Sequence, residues 1–272
     1  MEYFTLNNGN RIPAIGSGTN SFGKEGGFAG IYTGTTKEMN SCIEAGYRLF
    51  DTAESYGNEE VIGTAVRDSG ISRSEFFIET KMKIKSREGT DPVLGRKETE
   101  DAIARSLDKL KTDYIDVYMM HHPVNTPEEL REIWAVFEEQ YDRGVLRNIG
   151  VCNFTPKDLD ELLSFCRVKP VIDQIRINPE TPSSETVDYC RRNGIVPMAW
   201  GPLNFSRGRD ELAQIAGRYG VSWSKLLLNY NWRNGVISIP KSHDPAHQKD
   251  NIDVFGFSIS DEDMDAIRGL CI

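Results

Sequence analysis

An α/β fold of the (β/α)8 barrel class is what this sequence predicts, and three observations predict it. The chain is 272 residues long and 39% hydrophobic, a length at which one such barrel closes around its own core. Short runs rich in β-formers alternate with amphipathic helical stretches along nearly the whole chain, the order that packs helices outside a parallel sheet. The runs themselves are almost continuously apolar, which suits strands covered on both faces. An open doubly wound sheet would show the same alternation and is the competing architecture. No linker, low-complexity tract or further internal repeat interrupts residues 1–272, which read as one domain.

The chain opens with a predicted hairpin, residues 3–6 and 11–13 around Asn8-Gly9. Asn-Gly favours a type I′ turn, and the hairpin would close the bottom of the barrel. The first barrel strand is expected at residues 14–18. Thr35 and Glu38 then stand at capping-box spacing, with Met39, Cys42, Ile43 and Gly46 following on one helical face. A strand at 47–50 leads to a helix over 58–68 that buries Val61, Ile62, Ala65 and Val66 and stops at Ser69-Gly70. A strand at 76–80 precedes a helix marked by Ile103, Leu107 and Leu110. The remaining strands are expected at 114–120, 146–151, 171–175, 195–199 and 236–239, and the remaining helices at 127–143, 156–165, 183–193, 210–219, 222–232 and 261–269. Two long aperiodic segments, 19–34 and 83–96, follow strands and so belong on the face where barrel sites are built.

Lysine plus arginine total 32 against 41 aspartate plus glutamate, a net charge of -9, and no basic block stands out. Nucleic acid and anionic membrane surfaces are therefore not expected partners. No apolar run approaches the roughly 20 residues that span a bilayer, and the first eleven residues are polar, so a cytoplasmic protein is expected. The five cysteines, Cys42, Cys152, Cys166, Cys190 and Cys271, are odd in number and form no CxxC pair. They read as reduced thiols, with neither a disulfide framework nor a zinc site.

The chemistry is concentrated where strands end. Asp51, Lys81 and His121 follow three successive predicted strands. Asn153, Gln174, Trp200 and Lys241 end four later ones. In a parallel barrel all these ends face one mouth. Each residue alone has an ordinary explanation as a solvated or packing group. A carboxylate, an ammonium, an imidazole and the Tyr56 phenol in one mouth are costly to desolvate without a function.

The stretch from Gly46 to Glu59, GYRLFDTAESYGNE, resembles the first signature of the aldo-keto reductase family. Ile149 to Phe154, IGVCNF, is similar to a second motif, and Ile239-Pro240-Lys241-Ser242 to a third. The resemblance runs in order over almost the whole chain. It implies a barrel, NADP(H) as preferred cofactor with NAD(H) possible, and reduction of a carbonyl to an alcohol. It places a catalytic tetrad at Asp51, Tyr56, Lys81 and His121. Such a reaction needs a proton donor, and a tyrosine of ordinary pKa, about 10, is a slow acid at neutral pH. Lys81 would favour the phenolate, Asp51 would hold Lys81, and His121 would orient the carbonyl and stabilise its oxygen.

The resemblance also implies that Asn153 and Gln174 hold the nicotinamide carboxamide, with Cys152 in place of a usual serine. It sets Trp200 against the ring where a tyrosine is common. Lys241 and Ser242 match contacts to the 2′-phosphate of the cofactor and Asn251 a contact to the adenine, while His247 stands where an arginine is usual. Gly16-x-Gly18 does not extend to GxGxxG, which argues against a Rossmann dehydrogenase.

Lys83 and His122 occupy substrate-pocket positions where relatives have large aromatics, and the sequence ends soon after its last predicted helix. A small polar or anionic carbonyl compound and a monomeric enzyme are expected. The counter-expectation is that residues 20–32 cover the mouth and supply Phe22, Phe28 and Tyr32 as the missing aromatics. Two other classes are weighed. One is a cofactor-binding regulatory subunit without relevant turnover, distinguished by assay with NADPH and a general aldehyde. The other is a metal-dependent hydrolase, for which His121-His122 lacks companion ligands at strand ends.

Overall fold

In the computed structural model of the chain, residues 1–84 and 94–271 are described. Eight parallel strands of these residues form one sheet: β3 (Ser17–Gly18), β6 (Leu49–Asp51), β7 (Phe77–Met82), β8 (Val117–Met120), β9 (Ile149–Cys152), β10 (Ile172–Arg176), β11 (Val196–Trp200) and β12 (Ile237–Ile239). They lie side by side in chain order. The two edges meet, because Ile15 bridges Ser238 in parallel register and the Gly16 amide donates to the Ser238 carbonyl at 2.9 Å. The sheet is therefore a closed barrel and not an open doubly wound sheet. Gly16 permits the close approach of the first strand to β6: a Cβ there would lie 2.5 Å from Leu49 Cγ and 2.9 Å from the Leu49 carbonyl oxygen.

Outside the sheet run α1 (Lys37–Ala45), α2 (Glu59–Asp68), α3 (Arg96–Leu110), α4 (Pro127–Asp142), α5 (Pro156–Leu163), α6 (Ser184–Arg192), α7 (Arg209–Gly217), α8 (Trp223–Arg233), α9 (Pro245–Ile252) and α10 (Asp261–Leu270). The helices α4 and α5 start as their sequences dictate. Thr126 and Thr155 accept from the backbone amides of Glu129 and Asp158, whose carboxylates reach back to the cap amides, and Pro127 and Pro156 follow the caps. Two buried layers result. Leu49, Val117, Met119, Ile172, Met198 and Ile237 fill the barrel interior together with Leu6 and Ile12. Met39, Ile62, Ile78, Ile103, Trp134 and Leu159 pack between sheet and helices.

The hairpin β1 (Tyr3–Thr5) and β2 (Arg11–Pro13) sits where expected. Asn7 donates to the Pro170 carbonyl, and Asn8 and Asn10 both donate to Asn148 Oδ1, pinning it beneath the N-terminal ends of β9 and β10. Its turn is not type I′. Only Gly9 has positive φ, +87°, and its amide donates to the Leu6 carbonyl at 2.9 Å, the pattern of a type I turn closed by a left-handed glycine.

Four further points differ from the sequence expectation. Thr35 and Glu38 do not form a capping box: α1 begins after Thr36 without a side-chain cap, and Glu38 instead accepts from His243 at 3.3 Å. The segment 19–34 is not wholly irregular, since β4 (Lys24–Glu25) and β5 (Ile31–Tyr32) pair as a small antiparallel ladder. Helix α9 was not anticipated, although Asp244-Pro245 is a start signal: the Asp244 side chain caps the Ala246 amide at 2.7 Å. The barrel strands at 114–120 and 146–151 are also shorter than read, with Ile115 and Leu146 making only an isolated bridge. Much of the loop expected over 83–96 lies outside the described residues.

Candidate active site

All barrel strands run the same way, so their C-terminal ends share one mouth. A cavity of about 780 Å³ opens there. It is lined by Asp51, Tyr56, His121, His122, Cys152, Asn153, Gln174, Trp200 and Lys241 among the residues singled out from the sequence, and also by Gly18, Thr19, Asn20, Phe28 and the loop Gly201 to Asn204. Lys81 lies buried below it. Lys83, Ser242, His247 and Asn251 are outside its lining. Lys83, expected in the substrate pocket, is exposed beyond the end of β7, where its amide donates to Glu54 Oε2.

The alternation of β7 decides which of its residues face the barrel interior. Thr80 Oγ1 donates to Glu59 Oε1 on α2 at 2.7 Å and so faces outward. Its neighbours Glu79 and Lys81 therefore face inward, both fully buried. Lys81 Nζ donates to Asp51 Oδ1 and to the Thr52 carbonyl oxygen. Burial works against the ammonium, but Asp51 and the other acidic groups around it outweigh that cost and raise its pKa. Lys81 is thus a fixed cation.

Tyr56 ends a short 3-10 turn, Glu54–Tyr56, that brings its phenol over Lys81. Gly57 follows at φ +67°, a conformation that costs glycine little. Lys81 Nζ lies 5.1 Å from the Tyr56 ring centre. The net shift runs opposite to the one expected from sequence. Burial raises the phenol pKa above its ordinary value, and Lys81 offsets only part of that rise. The phenol consequently keeps its proton at neutral pH.

His121 stacks on His122, ring centres 5.0 Å apart and planes 3° from parallel, and meets the Tyr56 ring edge-on at 5.6 Å. Burial, Lys81 and His122 together pull its pKa down to about 2. A neutral imidazole has one N–H, and Ser55 Oγ lies 3.2 Å from Nδ1. With the hydroxyl donating to Nδ1, the proton stays on Nε2. Nothing in the sequence marked Ser55 for this position beyond its place beside Tyr56.

On the other side of the cavity, Asn153 holds a left-handed backbone, φ +62°, an uncommon conformation that asparagine tolerates better than most residues. Its Nδ2 donates to the His121 carbonyl at 3.0 Å, and its Oδ1 accepts from Trp200 Nε1 at 3.0 Å. Gln174 is buried and turns its amide N–H groups into the barrel, to Asp51 Oδ1 and Glu79 Oε1, both at 2.9 Å. Its Oε1 faces the Cys152 thiol at 3.8 Å. Burial raises the pKa of that thiol. Asn178, which no motif in the sequence marks, donates to the carbonyls of Gly201 and Asn204 and fixes the loop beside Trp200.

At the far end, Lys241 Nζ donates to Asn20 Oδ1 at 3.0 Å and Ser21 Oγ at 2.7 Å. Ser21 Oγ is in turn 2.9 Å from His243 Nε2, and His243 reaches Glu38. This chain of contacts clasps the segment after β3 to the segment after β12. His247 is exposed on α9, and Asn251 is buried on the same helix. Of the three aromatics from residues 20–32, only Phe28 lines the cavity, edge-on to Tyr56 at 5.9 Å. Phe22 is buried against His243 and Tyr32 is exposed. Among the described residues no cluster of three or more His, Cys, Asp or Glu could hold a metal ion.

Fold and site together define a closed (β/α)8 barrel whose mouth joins a charge-paired lysine, a phenol and a neutral imidazole at one cavity. The sequence model of the Aldo/keto reductase family matches residues 14–272, and the chain belongs to that family of oxidoreductases. The glyoxal reductase of Bacillus subtilis (strain 168) is 35% identical over 267 residues, which are 97% of this chain and 91% of that protein. The morphine 6-dehydrogenase of Pseudomonas putida is 34% identical, over 95% of this chain and 88% of its own length. Among solved structures, an aldo/keto reductase from Brucella melitensis is 33% identical with a TM-score of 0.89, and 99% of each chain is covered. The Bombyx mori aldo-keto reductase in complex with NADP is 32% identical with a TM-score of 0.85, over 99% of this chain and 92% of that one.

Proposed function

We propose that this protein reduces small polar aldehydes or ketones to alcohols with a nicotinamide cofactor, NADP(H) by preference and NAD(H) as a possible substitute, and that Tyr56 is the proton donor. The observation that carries the reading is the meeting of Tyr56, Lys81 and His121 at one cavity, with the phenol protonated and the imidazole neutral. In the reaction Tyr56 gives its proton to the carbonyl oxygen as negative charge develops there. Lys81, held by Asp51, stabilises the phenolate left behind. His121 Nε2–H hydrogen-bonds the same oxygen and fixes the carbonyl plane, a task that a neutral donor performs without adding a second charge beside Lys81.

The chain's residues fit the cofactor. A carboxamide needs both a donor and an acceptor, and the side chains of Asn153, Gln174 and Cys152 offer these at one wall, with the Trp200 ring beside them. Gln248, on the helix that carries His247 and Asn251, has a buried Oε1 without a hydrogen-bond partner among the described residues. Lys241, Ser242, His247 and Asn251 would hold the adenosine end. When bound, the cofactor supplies the hydride. That the Bombyx mori structure contains NADP supports this choice, and the relative named glyoxal reductase supports a small carbonyl substrate. His122 and Asn153 make the wall beside His121 polar. We further propose that residues 1–272 form one domain of a monomeric, cytoplasmic enzyme.

The test is a panel of aldehydes and ketones followed by nicotinamide absorbance, with wild type and Tyr56→Phe. Turnover of small polar carbonyls is expected. The variant should lose kcat by about a hundredfold or more while its cofactor affinity, read by fluorescence, stays within about twofold. Near-native turnover in Tyr56→Phe would remove Tyr56 from the role.

A further inference from the structure

The barrel interior holds a second carboxyl group directly beside Asp51, and no step above uses it. Glu79 is opposite Asp51 in the β6–β7 register and fully buried. Gln174 spends its amide hydrogens on the two acids, donating to Asp51 Oδ1 and to Glu79 Oε1. Asp51 accepts in addition from Lys81, whereas Glu79 Oε2 has no donor. One amide nitrogen of Gln174 thus bridges the two carboxyl groups, 2.9 Å from an oxygen of each.

The charge count around Glu79 does not balance with both acids ionised. From the elements packed about it come Asp51 on β6, Lys81 on β7, the Tyr56 phenol, the Cys152 thiol on β9, and the uncharged Gln174 and Met198 on β10 and β11. Lys81 is the sole cation in that set, so two carboxylates would leave an uncompensated buried negative charge. One shared proton removes it and turns repulsion into a charge-assisted O–H···O⁻ bond. The donors decide where the proton sits. Lys81 and Gln174 favour a charged Asp51, while Glu79 receives only one hydrogen bond.

We propose that Glu79 is a positioning residue, held as a neutral carboxylic acid that donates its proton to Asp51 and, by drawing on the charge of Asp51, leaves more of the Lys81 field for Tyr56. Burial and the charge of Asp51 both push the Glu79 carboxyl well above the usual carboxylate range, in agreement with that geometry. The effect on Tyr56 rests on the proton-donor role assigned above; the protonation of Glu79 does not.

Two measurements test the two parts separately. Infrared difference spectra of wild type against Glu79→Gln at pH 7, without cofactor or substrate, should show the carbonyl band of a protonated carboxylic acid that is lost in the variant. A carboxylate signature in its place would overturn the proposal whatever the protein catalyses. The second measurement is the pH profile of alcohol oxidation, the direction that needs the phenolate. Glu79→Leu leaves Asp51 to neutralise Lys81 more fully, so its profile should shift upward by about one pH unit, a roughly tenfold loss of kcat on the rising limb. Cofactor affinity should be unmoved. Glu79→Gln keeps an N–H donor for Asp51 and should restore the wild-type profile. An unshifted profile in Glu79→Leu would show that Glu79 does not act on Tyr56, and loss of all turnover in every variant together with wild type would count against the reductase reading alone.

Discussion

Asp173 and Gln174 are adjacent in β10, and the pleat sends them to opposite sides of the sheet. Gln174 faces the interior and the acids beneath the site, whereas Asp173 faces the Cys190 thiol on α6 and accepts from the Phe154 amide at 3.4 Å. Burial raises the Asp173 pKa well above its ordinary value, and the Phe154 amide offsets only part of this. A carboxyl raised in the folded state binds more protons there than in the unfolded chain. Its effect on stability is therefore nil below the unfolded value, about pH 4, and grows unfavourable as pH rises toward the folded value. Asp173→Asn should flatten that decline, which has a limiting slope of about 1.4 kcal/mol per pH unit for one proton. Denaturant titrations at pH 5, 6.5 and 8 measure it. A variant whose stability falls with pH as steeply as wild type would show that Asp173 ionises freely. Reductase kinetics should barely change, because Asp173 lines no part of the cavity.

At the scale of elements, the adenosine end depends on α9 and the segment before it. Asp244 caps α9 through Ala246, so a carboxylate occupies a helix start between Ser242 and His247. Histidine lacks the two-pronged donor of arginine. Both features weaken preference for the 2′-phosphate if it lies here. His247→Arg and Asp244→Asn should each raise the ratio of NADPH to NADH affinity by about five- to tenfold, since 1 kcal/mol or slightly more is at stake in one added or removed charge contact. Asparagine caps helices as well as aspartate does, so α9 itself should be unaffected. Fluorescence titrations with both cofactors decide it, and ratios unchanged in both variants would place the phosphate elsewhere.

For the whole molecule, substrate choice follows from what closes the mouth. Phe28, His122, Trp200 and the loop fixed by Asn178 border the cavity, with Lys83 turned away. One aromatic from residues 20–32, not three, reaches the site. His122→Trp should therefore move the ratio of kcat/KM for an aromatic aldehyde over that for a small keto acid upward by about tenfold, through added apolar contact. A wild type that already prefers bulky apolar ketones to small polar ones would contradict the polar-pocket reading.

The barrel and most of its mouth are legible in the linear chain. Strand alternation and apolar runs are local properties, and residues such as Asp51, Lys81, His121 and Asn153 could be assigned to one face because every parallel strand ends on the same side. The signature around Tyr56 added the pairing of these groups. Quantities that depend on neighbours distant in sequence emerge only on folding. The pKa of Tyr56 moved opposite to the expected direction because burial outweighs Lys81, and no local pattern reports how deeply the end of a short 3-10 turn is buried. Lys83 is exposed and outside the cavity lining, with its amide held by Glu54 at the strand end. Glu38 was claimed by His243 across the fold and not by its own helix. Glu79 was visible all along, two residues before Lys81 and so on the same face of the strand. Its meaning required Asp51 and Gln174, from β6 and β10, to be seen converging on it: a titration state is set by every charge and donor within a few ångströms, and the chain brings those together only on folding.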